Sequence, residues 1–166
     1  MKLEYLPVRR TIDGLLPKGP KTSHLYETLA SKIEGMKIVE NGNPRGDSRY
    51  RGADYVFGYI IQEPWAETGL GAMEELWSDT AKFLEGKGYR EVKKPQKGDV
   101  VAYFNSDYSA VLLDGAHLGQ AIAKHFGVFQ DKRVISKWSG GHVFRHPIEC
   151  VPTSYGDEVK FFRKRA

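Results

Sequence analysis

The stretch Gly98-Asp99-Val100-Val101-Ala102-Tyr103-Phe104 decides the fold class, because an apolar run after a glycine turn is typical of a buried β-strand. Short runs of similar character continue to the end of the chain. Turn residues such as those at 105–107, 114–115 and 140–141 separate these runs. The sequence therefore predicts strands at 89–93, 99–104, 110–113, 117–126, 133–138, 143–146 and 158–163.

Before residue 89 the apolar residues recur at helical spacing instead. Residues 1–21 contain three prolines and two glycines, which predicts an irregular arm lying on the domain. Helices followed by a mostly antiparallel sheet indicate an α+β fold, with the N-terminal helices packed on the sheet. The predicted helices are one capped by Thr22 or Ser23 and ending near Gly35, one from about Gly52 to Ile61, and one that follows Thr68, includes Leu84 on its apolar face and stops at Gly86 and Gly88.

Length and composition favour one globular domain that spans residues 1–166. Apolar residues make up 40% of the chain and aromatic residues 12%, which is enough to bury a core. Cys150 is the only cysteine, so it cannot form an internal disulfide or a multi-thiolate metal site. The sequence carries no secretory signal and no apolar run long enough to span a bilayer, so we expect a soluble, cytoplasmic protein without a membrane partner.

The net charge of +4 is mildly basic, and the last strand ends in the basic segment Lys160-Phe161-Phe162-Arg163-Lys164-Arg165. Basic residues interleaved with aromatic ones are typical of nucleic-acid binding, which is one alternative function. A final strand with alternating solvated cations explains the same pattern. We prefer this second interpretation, which disfavours nucleic acid as a partner.

Several segments resemble, in order, the papain-like hydrolase fold in its compact form, as in NlpC-type peptidases and CHAP amidases. The chain is most similar to a group of uncharacterised proteins related to that fold. In this fold a cysteine begins the central helix, a histidine at the start of the second core strand acts as base, and a polar residue on the next strand orients it. The resemblance covers about residues 50–163, and its segments are Tyr50 to Gly58, Gly98 to Val101, His117 to Gly119, Ser136 to Gly140 and Tyr155 to Val159.

The resemblance places Gly52 at the position of the cysteine, and a shift by one residue would place Ala53 there. Neither residue has a nucleophilic side chain. His117 would be the base, or a relic of it. The resemblance therefore implies a catalytically inactive papain-like module. We expect it to bind a peptide or a small polar ligand in a cleft between the start of helix 52–61 and the strand that opens at His117.

The predicted ligand-binding residues are Tyr50, Gly52, Asp54, His117 and Trp138. Asp54 lies in the first helical turn, where a carboxylate is stabilised by the helix dipole. Tyr50 and Trp138 are aromatic side chains that can form pocket walls. Ordinary capping and core packing remain the alternative explanations for these residues.

An active hydrolase, amidase or transferase is the alternative enzyme hypothesis, with His117 acting on Cys150 or on an activated water. Cys150 lies in extended or turning chain beside Glu149, whereas an activated thiolate needs a helix N-terminus or a cation. We therefore expect a buried structural thiol. His142 and His146 lie on one predicted strand about 13 Å apart, so the sequence predicts no metal site, and it indicates no cofactor.

Overall fold

A seven-stranded antiparallel sheet runs through the middle of the protein in a computed structural model, which describes residues 1–3, 7–16, 23–40, 52–67, 70–106, 122–138 and 142–166. The strand order across the sheet is β1-β6-β5-β4-β3-β7-β2. The strands are β1 (Lys37–Glu40), β2 (Tyr89–Val92), β3 (Val100–Phe104), β4 (Ala123–Gln130), β5 (Arg133–Lys137), β6 (Val143–His146) and β7 (Glu158–Lys164).

Most of the helices precede strands β2 to β7 in the chain. A continuous central helix consists of α3 (Gly52–Asp54) and a π-helical segment (Tyr55–Ile60), and a short 3₁₀ helix (Thr153–Tyr155) precedes β7. The remaining helices are α1 (Pro7–Leu15), α2 (Ser23–Lys32), α4 (Pro64–Glu67), α5 (Leu70–Ser78) and α6 (Thr80–Gly86).

Strand β3 shows why the sheet is buried on both faces. Every residue of β3 is buried, and alternate side chains belong to different cores. Val101 and Tyr103 pack in a first core with Ile12 of α1 and Leu29 of α2. The other three residues of β3 pack in a second core, which includes Phe57 of the central helix. Because side chains of a strand alternate between faces, the sheet lies between two helical layers.

The α+β class predicted from the sequence is confirmed. The helices pack on the sheet as expected, and they cover both of its faces. The single helix expected after Thr68 is divided into α5 and α6. The division occurs at Asp79, whose carboxylate accepts a hydrogen bond from the Lys82 backbone N–H at 3.1 Å and caps α6.

Two elements near the N-terminus were missed. The expected irregular arm contains helix α1, which begins at Pro7, a residue type that suits a first helical turn. Its apolar residue Ile12 is fully buried in the first core. Strand β1 was also missed, because its four residues are too few for a clear alternation.

The strand expected at 110–113 lies outside the described residues, as does the start of the strand expected at 117–126. Strand β4 is described from Ala123 and extends four residues beyond the expected end. Among the described residues, no helix combines the length and apolar character needed to cross a bilayer.

Candidate functional site

The start of the central helix lies directly against an imidazole. A Cβ atom built on Gly52 would be 3.4 Å from both Cε1 and Nδ1 of His125, and 3.3 Å from the backbone oxygen of Lys137. His125 belongs to β4 and Lys137 to β5, so Gly52 lies at the end of the sheet where β4 begins and β5 ends. Any side chain at position 52 would therefore begin in contact with the His125 ring.

The β4–β5 hairpin fixes the position of His125. Its two-residue turn, Asp131 and Lys132, has positive φ values of 51° and 62°, as expected for a turn that matches strand twist. On the other side, β4 pairs with β3 so that His125 lies opposite Tyr103. The register changes just after this pair, between Tyr103 and Phe104. Local chain geometry thus presents the imidazole at the end of the sheet, beside the central helix.

His125 is a buried, uncharged base. Its side chain belongs to a residue that is only 5% exposed, and its Nε2 atom has no hydrogen-bond partner among the described residues. Burial, together with the neighbouring His146, holds the pKa of His125 well below its ordinary value. The ring is therefore neutral at physiological pH, and its Nε2 can still form a hydrogen bond with an added group.

Tyr155 packs flat on the His125 ring, with ring centroids 3.9 Å apart and an interplanar angle of 16°. Tyr155 belongs to the 3₁₀ helix before β7 and is half-buried. The edge of Trp138 meets Tyr155 at 5.7 Å between centroids. Trp138 is 1% exposed, so it supports the site from behind and does not reach solvent.

A chain of hydrogen bonds holds Trp138 in place. The Trp138 Nε1–H donates to Ser136 Oγ at 3.0 Å, and Ser136 Oγ lies 2.8 Å from His146 Nε2. His146 Nδ1 lies 2.7 Å from the Pro147 carbonyl oxygen, which can only accept. His146 therefore carries its proton on Nδ1, and its Nε2 accepts from the Ser136 hydroxyl. Burial lowers the pKa of His146 to about 4, which keeps this arrangement neutral.

The Ser136–His146 pair has the spacing of a nucleophile and its base, but it is not accessible to a substrate. Both residues are fully buried, and the serine oxygen already accepts from Trp138. A hydrolytic nucleophile needs an open approach for the electrophile. This pair is therefore part of the first core, and it supports the aromatic residues behind His125.

The structure places three of the five residues predicted for ligand binding. Gly52 and Asp54 lie in the first turn of the central helix, as expected, and Trp138 lies in the core. Tyr50 and His117 lie outside the described residues. The histidine that meets Gly52 is His125, which lies on the same predicted strand as His117 and which sequence reasoning did not select.

A sequence signal for His125 was present in the hairpin that follows it. The apolar run after His125 leads through a two-residue turn into β5. Such a short turn fixes the register between β4 and β5. A histidine at the open end of such a hairpin contacts the element that packs on that end of the sheet, which here is the central helix. Because the strand was expected to end at residue 126, the hairpin was not predicted, and neither was the position of His125.

Cys150 lies away from this chemistry, in the first core with Trp138 and Phe144. Burial and the adjacent Glu149 carboxylate raise the pKa of Cys150 to about 11, so it is a thiol at neutral pH. These properties fit the expected structural thiol. Within the described ranges, no three histidine, cysteine or acidic side chains converge as they would to hold a metal ion.

The basic residues of the last strand are engaged with carboxylates. The tail pairs are Lys160 with Glu91 at 3.7 Å, Arg163 with Asp99 at 2.8 Å, and Lys164 with Glu63 at 2.6 Å. Asp99, from the Gly-Asp motif before β3, also accepts from the Gln96 backbone N–H at 2.7 Å. These pairs join β7 to its neighbours and leave less positive charge for a phosphate backbone.

Comparison of the chain with protein-family models, with curated proteins and with solved structures found no match. The papain-like resemblance therefore stays a prediction from the sequence.

Proposed function

We propose that the protein is a papain-like module that binds a peptide or a small polar ligand at the start of its central helix without cleaving it. The observation that carries this proposal is the contact between Gly52 and His125. It combines a helix N-terminus and an imidazole, as in a thiol hydrolase, with a residue that has no side chain to attack a substrate.

The groups around Gly52 suit a ligand with hydrogen-bonding oxygens. The first backbone N–H groups of a helix have no partner within the helix, and the helix dipole favours negative charge beside them. Gly52 is only half-buried, so a ligand can approach this end of the helix. The Nε2 atom of His125 offers a further hydrogen bond, provided that its ring becomes accessible.

A binding experiment tests the proposal directly. Trialanine, with a free carboxylate, is titrated into ¹⁵N-labelled protein, and its C-terminal amide serves as the comparison that lacks the carboxylate. We expect chemical-shift changes centred on the amides of residues 52–54, no cleavage product by mass spectrometry, and loss of the changes in Gly52→Val. Cleavage that disappears in His125→Ala would replace the binding module with an enzyme.

A second test measures whether the geometry is that of a thiol site. Gly52→Cys, made together with Cys150→Ala, places a thiol at a helix N-terminus, which lowers thiol pKa values, and beside His125, whose neutral ring can accept the thiol proton. We expect it to react with iodoacetamide at pH 7 about tenfold faster than Gly58→Cys in the same background. Gly58 is a suitable control because a Cβ atom there would meet only Ala66, at 4.0 Å. Equal rates would remove the basis for the papain-like interpretation.

The structure offers less support to the alternative functions. Cys150 is buried with a raised pKa, which disfavours it as a nucleophile. The ion pairs of β7 disfavour binding to nucleic acid through the basic tail. Water activation by His117 falls on residues outside the described part of the chain.

A further inference from the structure

Tyr155 separates His125 from solvent on one face of the imidazole. The two rings stack at 3.9 Å, and the histidine is buried whereas the tyrosine is half-buried. Tyr155 belongs to residues 151–156, which lie between Cys150 and the start of β7 and which we call the cover segment. Any ligand that reaches this face of the imidazole must first displace the tyrosine ring.

The cover segment is held by Arg9 of helix α1. The Arg9 Nε donates to the Val151 carbonyl at 3.1 Å, and its Nη2 donates to the carbonyls of Pro152, at 2.8 Å, and Gly156. Arg9 is only 3% exposed. One buried guanidinium therefore binds the cover segment on both sides of Tyr155.

Asp13, one helical turn after Arg9, provides a second anchor. Its carboxylate accepts from the Thr153 backbone N–H at 3.0 Å and from the Thr153 hydroxyl at 2.6 Å. Residues four apart on a helix share a face, so Arg9 and Asp13 can both form hydrogen bonds with the cover segment. These contacts are polar, and those of Asp13 lie at the exposed surface.

The far end of the cover segment is held tightly against the sheet. Gly156 has a φ of +105°, which favours glycine, and a Cβ atom there would overlap the Phe104 carbonyl. The next residue, Asp157, is fixed to the sheet by its N–H bond to Phe104 O at 2.8 Å. The chain is thus held at Gly156, and at the other end of the segment Val151 is fully buried in the first core. Thr153 and Ser154, between these two ends, are exposed, and Thr153 is held to α1 by Asp13.

We propose that the cover segment gates the site: Tyr155 closes over His125, and helix α1 sets how often it opens through Arg9 and Asp13. The role of this gate in ligand binding rests on the proposed function. The covering of His125 does not, and it can be measured without any ligand.

Diethyl pyrocarbonate, which acylates unprotonated imidazoles, reports the exposure of His125 in the intact protein. Peptide mapping by mass spectrometry separates His125 from the other four histidines. Relative to the unmodified sequence, we expect its reaction rate at pH 7 to rise about tenfold in Tyr155→Ala and about threefold in Asp13→Ala, because local opening becomes more frequent. Thr11→Ala, on the exposed side of the same helix, should leave the rate unchanged.

The outcomes separate the parts of the proposal. Unchanged protection of His125 in both Tyr155→Ala and Asp13→Ala would overturn it. A faster reaction in Tyr155→Ala alone would overturn the anchoring role of α1. Near-ultraviolet circular dichroism checks that each variant stays folded. Failure to bind trialanine would leave these results standing and would count only against the proposed function.

Discussion

Replacing Arg9 with methionine tests how strongly helix α1 is joined to the rest of the fold. The Arg9 side chain makes four hydrogen bonds to backbone carbonyls, of Leu3, Val151, Pro152 and Gly156. Methionine fills similar volume but leaves those carbonyls without this donor. Hydrogen bonds from a charged group contribute about 1.5–3 kcal/mol each, and burial of the cation offsets part of the sum. We therefore expect Arg9→Met to lower the free energy of unfolding by about 3–5 kcal/mol.

Urea denaturation followed by tryptophan fluorescence measures this loss. A change of that size corresponds to a fall in melting temperature of about 6–20 °C for a chain of this length. Arg10→Met is the matched control, because Arg10 is exposed and its replacement should change the free energy by no more than about 0.5 kcal/mol. A loss below about 1 kcal/mol for Arg9→Met would contradict the reasoning, since the four bonds would then contribute almost nothing net.

The pKa of His146, lowered to about 4 from an ordinary 6.5, makes stability fall as pH drops through this interval, because the unfolded chain binds a proton there and the folded chain does not. Unfolding free energies from pH 7.5 to pH 4 should fall by about 3 kcal/mol from this residue, with His125 adding in the same direction. His146→Gln should reduce the slope, and an unaltered slope would exclude His146 as its source. Gly127→Ala places a methyl group against Val134 across the β4–β5 hairpin and should cost about 1–3 kcal/mol by thermal denaturation. Gly86→Ala, where nothing lies within 4 Å, should be neutral or slightly stabilising, and equal losses in both variants would show that steric overlap is not the cause.

The elements predicted best are those with long or regular apolar patterns. The central helix begins at Gly52 as expected, although its Tyr55–Ile60 segment is π-helical and lacks the 3.6-residue period that the pattern indicated. Strands β3, β5, β6 and β7 lie close to their expected ranges. Helix α1 was not predicted, because residues 1–21 contain three prolines and two glycines, a composition typical of irregular chain. Pro7 in fact begins the helix, and Arg9, which the pattern alone could not interpret, anchors it.

The candidate site was predicted only in part. The resemblance indicated Gly52 as the nucleophile position, and in the structure this glycine lies against the imidazole of His125. The sequence did not distinguish His125 from His117, since both lie on one predicted strand and the choice depends on register. Tyr155 begins the last segment of the resemblance, Tyr155 to Val159, but only the folded chain shows it stacked on His125.

Local periodicity and residue identity are enough to predict the α+β class, the position of the central helix and the lack of a nucleophilic side chain at residue 52. Only the folded chain shows that helices cover both faces of the sheet and that His125 meets Gly52. It also shows that Tyr155 lies on His125, in a segment held by helix α1 more than 130 residues away in the chain. Such contacts depend on strand register and on buried hydrogen bonds between distant segments, and no local pattern specifies either of them.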